Sequence, residues 1–230
     1  MLVRYRWYLI RGDQTFESSE HSLTQRVFDA SAHAGFRRLQ RQSDGSAWRF
    51  LWRTQVPTVA YDEEGQSRVE MVRTVEVQDF RLFTRGKTLF IRVDNPGRAQ
   101  RALFNELHEA LEYDVAFDLL PVTESDRPKY FSRFDSIRLV GVKLINVGFG
   151  EQVAGRIELA SKTEINLSDI EELADKKFTV DTATYEISAE LLRGQLVLSR
   201  NGSASISEKL AEFVGAYIES AFSEKPKNRQ

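Results

Sequence analysis

Between Ala47 and Thr54 the chain alternates with a period of two. Trp48, Phe50 and Trp52 fall on one side, and Arg49, Leu51 and Arg53 on the other. Successive side chains of an extended strand point to opposite faces, so three large rings at this spacing require a sheet with one face in a core. The same texture recurs along the chain. Residues 4–10 (Arg-Tyr-Arg-Trp-Tyr-Leu-Ile) read as a strand closed by Arg11-Gly12-Asp13. Residues 68–83 and 87–93 read as two strands about a turn at Thr84-Arg85-Gly86, and a short strand follows over 115–122.

Helices are expected in between. Ser22-Leu23-Thr24-Gln25 has capping-box spacing and predicts a helix carrying Leu23, Val27, Ala30 and Ala34 on one side. That helix ends or kinks near Gly35 and the basic run Arg37-Arg38-Leu39-Gln40-Arg41. A turn at Ser43–Ser46 precedes the aromatic strand, and Asp62-Glu63-Glu64-Gly65 is an acidic loop. Asn95-Pro96-Gly97 predicts a helix to about Tyr113, with Asn95 as N-cap, Pro96 at the first helical position, and a stripe of Leu103, Phe104, Leu107, Ala110 and Leu111.

The polar segment Thr123–Lys129 is the best boundary in the chain. It divides an Arg-rich lobe, residues 1–122, from an acidic lobe, residues 130–223, with a frayed tail over 224–230. In the second lobe 137–149 is the most continuously apolar strand, expected to be covered on both faces, with 156–159 beside it. Ser168–Glu171 opens a short helix, and 179–191 with 195–200 form a hairpin. Ser205-Ile206-Ser207-Glu208 caps a last helix with Leu210, Phe213, Val214, Tyr217 and Ile218 in one stripe. The fold class is therefore α+β, with two sheet-plus-helix lobes built from mostly antiparallel strands.

The two lobes share an order. Residues 75–112 and 183–219 each read hairpin, Arg-Gly turn, break, helix. At an offset of 108, Arg85-Gly86 falls on Arg193-Gly194, and one gap brings Leu103, Leu107 and Leu111 onto Leu210, Val214 and Ile218. An internal duplication is one reading of this order, and the frequency of hairpin-then-helix units is the other.

Composition narrows the function classes. The 230 residues include no cysteine, which excludes disulfide scaffolds, thiolate nucleophiles and Cys-based metal sites, and fits a reducing, cytoplasmic setting. Charges interrupt the first residues, Met1-Leu2-Val3-Arg4-Tyr5-Arg6, where a signal-peptide core would lie. No uncharged apolar run approaches the roughly 18 residues of a membrane span, so no membrane partner is expected.

The three histidines, His21, His33 and His108, lack metal-ligand spacing, and no nucleophile elbow or phosphate loop occurs. Gly148-Phe149-Gly150 is followed by Val153 where a dinucleotide loop needs its third glycine. No catalytic residue, metal or cofactor is therefore assigned. An enzyme with no recognisable motif is kept as a third reading.

Net charge is −2, but unevenly spread. Residues 1–101 hold 16 Arg and 1 Lys against 12 acids, a balance of +5. Residues 102–230 hold 7 Arg and 8 Lys against 22 acids, a balance of −7. Arginine forks suit phosphate, and exposed rings stack bases. The leading expectation is a nucleic-acid-binding protein (DNA or RNA) using Arg37, Arg38, Arg41, Arg49, Arg53, Arg4 and Arg6, with the rings themselves in the core. Such a protein would be a homodimer, its seam on the closing helix. The alternative is a protein-interaction or scaffold subunit of a bacterial multi-component system, in which opposite charges orient the partners.

Overall fold

A computed structural model describes residues 1–122, 134–149, 153–189 and 191–222. The described residues form an α+β protein with three α-helices and eleven strands in antiparallel sheet. The chain divides into two compact units, one of residues Tyr8–Asp118 and the other of Met1–Trp7 with the chain from Leu119 onward. The expected boundary at Thr123–Lys129 and the tail over 224–230 lie outside the described residues.

The first unit contains the C-terminal end of β1 (Leu2–Arg11), then α1 (Phe16–Gln25), β2 (Ala34–Gln42), β3 (Gly45–Tyr61), β4 (Ser67–Arg85), β5 (Thr88–Asp94) and α2 (Gln100–Ala110). Its sheet runs β2-β3-β4-β5-β1. Register puts Phe36 opposite Phe50 and Trp48 opposite Phe80, so these rings share one face, where all four are buried. Leu23 of α1 and Leu103, Leu107 and Leu111 at α2 close over them. The period-two reading of β3 thus holds, and the rings are core.

Several local expectations are corrected. The first helix begins seven residues early, because Thr15 and Ser18 cap each other reciprocally, Ser18 N donating to Thr15 Oγ1 at 3.1 Å and Thr15 N to Ser18 Oγ at 3.0 Å. It stops at Gln25. Arg26 then reaches Glu106 (2.9 Å) and Glu109 (3.0 Å) of α2, while its carbonyl accepts from Phe36 N at 2.7 Å. Val27, Ala30 and Ala34 therefore lie off any helix, and Arg37–Arg41 are strand, not helix end. Gly35 permits the turn-back, since a Cβ there would stand 2.6 Å from Phe28 N.

The second helix starts at Gln100, not at Asn95-Pro96. Asn95 adopts φ 48, and the buried Gln78 holds the loop by donating to the Asp94 carbonyl (2.5 Å) and accepting from Gly97 N (3.2 Å). That tether holds residues 95–99 in a non-helical loop past the favoured capping sequence.

The second unit contains the start of β1, β6 (Ala116–Leu120, which straddles the division and pairs with β1), β7 (Ser136–Gly148), β8 (Ala154–Ala160), β9 (Thr179–Ala189), β10 (Leu192–Ser199), β11 (Ser203–Ser207) and α3 (Glu208–Ser220). Its sheet runs β1-β11-β10-β9-β7-β8. Strand β7 is interior to that order yet not covered on both faces. Leu139, Val142, Leu144 and Val147 are buried while Arg138, Lys143 and Asn146 are exposed, and register shifts against both neighbours move the buried phase along.

The capping spacing over 168–171 resolves into two 3₁₀ turns, Leu167–Asp169 and Glu171–Leu173. Ser205 and Ile206 belong to β11 rather than a cap, and Ser207 Oγ accepts from Gln195 N at 2.8 Å instead of capping α3. Strand β11 thus intervenes between break and helix in this unit, a step that the 75–112 segment lacks. Leu210, Val214 and Ile218 are buried, so most of the stripe expected as a dimer seam is the unit's own core.

Candidate functional site

Register places the arginines singled out above on different surfaces. Arg37 and Arg49 are cross-strand partners on the face opposite the core rings. Arg49 donates to both carboxylate oxygens of Asp79 (2.8 and 2.9 Å), and this hydrogen-bonded charge holds its guanidinium above the ordinary arginine range. Arg37 has no carboxylate partner among the described residues. Arg38 pairs instead with Trp48, on the core side of the sheet. It and Arg41 converge on Glu20 of α1, which is buried, at 3.9 and 3.1 Å.

Arg53 is spent on structure. It donates to the carbonyls of Ala32 (2.7 Å), Asp29 (2.8 Å) and Ala30 (3.2 Å) and stacks over Phe28. It thereby ties down the loop between α1 and β2. Arg4 and Arg6 belong to the other unit, on β1 in register with Ser205 and Ser203. The seven arginines thus occupy at least two faces of one unit and a strand of the other.

Farther along the same face as Arg49 lies a cluster that the sequence did not reveal. Asp44 receives Arg81 (2.7 Å) and Arg85 (3.1 Å). Burial alone would raise the Asp44 pKa, but the hydrogen bonds and charges of Arg85 and Arg81 outweigh it and hold the carboxyl below its ordinary range. Asp94 is paired with Arg92 at 2.7 Å, yet burial dominates and pushes its carboxyl up. These arginines are built into a web of carboxylates.

The histidines are equally local. His33 accepts from Trp52 Nε1 at 3.1 Å, and His108 sits edge-on to Phe117. Among the described residues no group of three or more His, Asp or Glu side chains is arranged to hold a cation. No helix among them is long and apolar enough to cross a membrane.

The feature that sequence reasoning missed is the outer half of the β3–β4 hairpin. Strand β2 leaves β3 at Trp52, with a last backbone hydrogen bond from Arg53 N to the His33 carbonyl (2.8 Å), and β5 leaves β4 at Phe80, so among the described residues the strands between Thr54 and Val77 pair only with each other. Apart from the half-buried Ala60, every residue over 55–61 and 67–75 of this two-stranded ribbon is exposed. Cross-strand pairs share a face, so register sorts the ribbon into two.

One face carries the pairs Tyr61/Ser67, Val59/Val69, Pro57/Met71, Gln55/Arg73, Arg53/Val75 and Leu51/Val77. The other carries Ala60/Arg68, Thr58/Glu70, Val56/Val72, Thr54/Thr74 and Trp52/Glu76. The first is an apolar stripe in water, with Tyr61 72%, Val69 68%, Met71 57% and Val59 54% exposed. A signal existed, namely Pro57, Val59 and Tyr61 at period two before the acidic turn and Val69 and Met71 after it. Pro57 disguises it, because proline is admitted only where a strand lacks a second neighbour.

At the tip, Asp62 Oδ1 accepts from Glu64 N (3.1 Å) and Gln66 N (2.8 Å), with Gly65 at φ 79 completing the turn. Glu63 and Glu64 are exposed there. At the base, Arg53, Gln55, Arg73 and Val75 line a groove with His33 and Trp52. Comparison of the chain with models of known protein families and with curated proteins gives no match.

Proposed function

We propose that this chain is an interaction subunit that docks on protein through the apolar stripe of the β3–β4 ribbon. The observation that carries this reading is the sorting of exposed Val59, Tyr61, Val69 and Met71 onto one face of a hairpin whose outer strands, among the described residues, pair only with each other. Exposed apolar surface of this extent is costly in water and marks contact sites in soluble proteins. A bare two-stranded hairpin is marginal by itself, so a covering partner also stabilises it. Residues 53–77 carry three arginines against five carboxylates, which disfavours phosphate backbones as the occupant of the stripe.

The test is a photo-crosslinking amino acid placed at Met71, with Thr58 on the opposite face as control, in the full chain both in cells and purified. A discrete adduct from position 71 and none from 58 is the expected outcome. No adduct from 71 overturns the reading.

Nucleic-acid binding is retained as a second reading because Arg37, free of carboxylates among the described residues, stands beside Arg49. Phosphate contacts of that pair predict affinity for duplex or single-stranded DNA or RNA that falls steeply with salt. Absence of binding at about 50 mM salt removes it.

A further inference from the structure

We propose that the occupant of the ribbon's apolar stripe is the same stripe of a second copy of this chain, packed antiparallel about a two-fold axis. The inference rests on the interaction reading above and names its partner. What points to a second copy is self-complementarity. A two-fold contact brings the same patch of each copy together, so any charge at one end of the ribbon must be answered at its other end. This ribbon meets that condition.

Its tip is acidic, with Glu63 and Glu64 exposed on a turn held by Asp62. On the stripe face its base is basic, with Arg73 paired across from Gln55 and Arg53 from Val75. Arg73 has no carboxylate partner among the described residues, whereas Arg53 is hydrogen-bonded to the carbonyls of Asp29, Ala30 and Ala32 and its charge is felt by the Asp29 carboxylate. From Tyr61 back to Arg53 is eight residues, about 27 Å of strand. Antiparallel overlap over that length sets each acidic turn beside the other copy's Arg73, with Arg53 next to it. Pro57, Val59, Val69 and Met71 of both copies then surround the axis, where water is best excluded.

The alternative faces do not offer this. The reverse side of the ribbon holds one exposed apolar pair, Val56/Val72, flanked by Glu70, Glu76, Arg68 and threonines, and most of the apolar stripe of α3 is buried in its own unit. A contact about 27 Å long and two strands, about 10 Å, wide is smaller than the roughly 800 Å² each partner contributes to a standard interface. A contact of that size belongs with weak, reversible association rather than with a permanent dimer.

Sedimentation velocity of the full chain across about 1–100 µM reads this directly. The wild-type chain is expected to pass from monomer to dimer. Met71→Glu and Val59→Glu remain monomeric, while Thr58→Glu, on the opposite face, dimerises as wild type. Far-UV circular dichroism and melting curves check that each variant is folded.

Charge supplies the sharper arm. Arg73→Glu alone, and Glu63→Arg with Glu64→Arg alone, each set like charges together at both ends and weaken dimerisation at least about tenfold. An equimolar mixture of those two chains restores both contacts and forms a heterodimer. A wild-type chain that stays monomeric overturns the second-copy proposal. In that case a crosslink from position 71 to a different protein leaves the interaction reading standing. A dimer indifferent to Met71→Glu and to the charge exchange overturns the proposal as well, and the absence of any crosslink from 71 then removes the interaction reading with it.

Discussion

Arg49 meets Asp79 through two parallel hydrogen bonds, Nε to Oδ1 at 2.8 Å and Nη2 to Oδ2 at 2.9 Å, on the face of β3 and β4 opposite the core. An arginine held this way has its fork filled and its charge answered, so a basic sequence stretch does not become a basic surface in proportion. Asp79→Asn releases it. Both side chains are more than a third exposed, so the expected cost in stability is below about 1 kcal/mol. If Arg49 touches phosphate at all, the slope of log affinity against log salt for DNA steepens by about one in the variant. An unchanged slope excludes Arg49 from phosphate contact.

Gly35 lies where β2 passes against Val27 and Phe28. A Cβ there would meet Phe28 N at 2.6 Å, Phe28 Cα at 2.8 Å and the Val27 carbonyl carbon at 2.9 Å. These are backbone atoms, which cannot swing aside as a flexible side chain does. Gly35→Ala is expected to destabilise by about 3 kcal/mol, seen as a lower denaturant midpoint. A midpoint within error of wild type would contradict the close approach.

Within the other unit, Trp7 Nε1 donates to Glu219 Oε1 at 3.2 Å, both side chains being buried. Glu219→Ala leaves the indole donor without that acceptor and is expected to cost about 1–3 kcal/mol. Glu219→Gln keeps an oxygen that accepts the same hydrogen bond, and costs less. Equal losses in the two variants would show that the hydrogen bond is not what holds α3 to β1 at this point.

Asp44 and Asp94 predict opposite pH dependences. The Asp44 carboxyl is held below its ordinary value by Arg85 and Arg81 against the effect of burial. The stability it contributes is therefore present above an ordinary aspartate pKa near 3.8 and lost as pH falls through the depressed value. Asp94 is raised, chiefly by burial. Its contribution is full below the ordinary value and lost as pH rises through the raised one. Relative to wild type, Asp44→Asn should thus look worst at neutral pH and least harmful in acid, and Asp94→Asn the reverse. Denaturant midpoints at a series of pH values from neutral to about 3 check both signs.

Much of the architecture was legible in short stretches. The alternation over Ala47–Thr54 identified the buried face of β3, and the turn residues at 84–86 placed the β4–β5 hairpin. Local signals failed where a distant residue overruled them. The Asn95-Pro96 pair is a favourable helix start, yet Gln78 holds it in a loop; Ser22–Gln25 has capping spacing, yet Thr15 and Ser18 begin the helix first. The candidate site fared worse. Arg38 and Arg49 are eleven residues apart in sequence but point to opposite sides of the sheet, a consequence of strand pairing that no spacing rule contains.

By itself, the order of residues determined which side chains must leave water. Trp48, Phe50, Phe80 and Leu103 are buried because their periods match a strand or a helix, and burial of large apolar groups dominates the free energy of folding. Tertiary structure alone decided which charges are answered and which apolar groups stay wet. Pairing brought Asp79 beneath Arg49 and Glu20 beneath Arg41, cancelling much of a basic patch. It also ended β2 and β5 short of the β3–β4 tip, leaving Val59, Val69 and Met71 uncovered. The physical reason is range. Periodicity is set by neighbours along the backbone, whereas neutralisation and coverage depend on neighbours in space, which exist only after the strands have met.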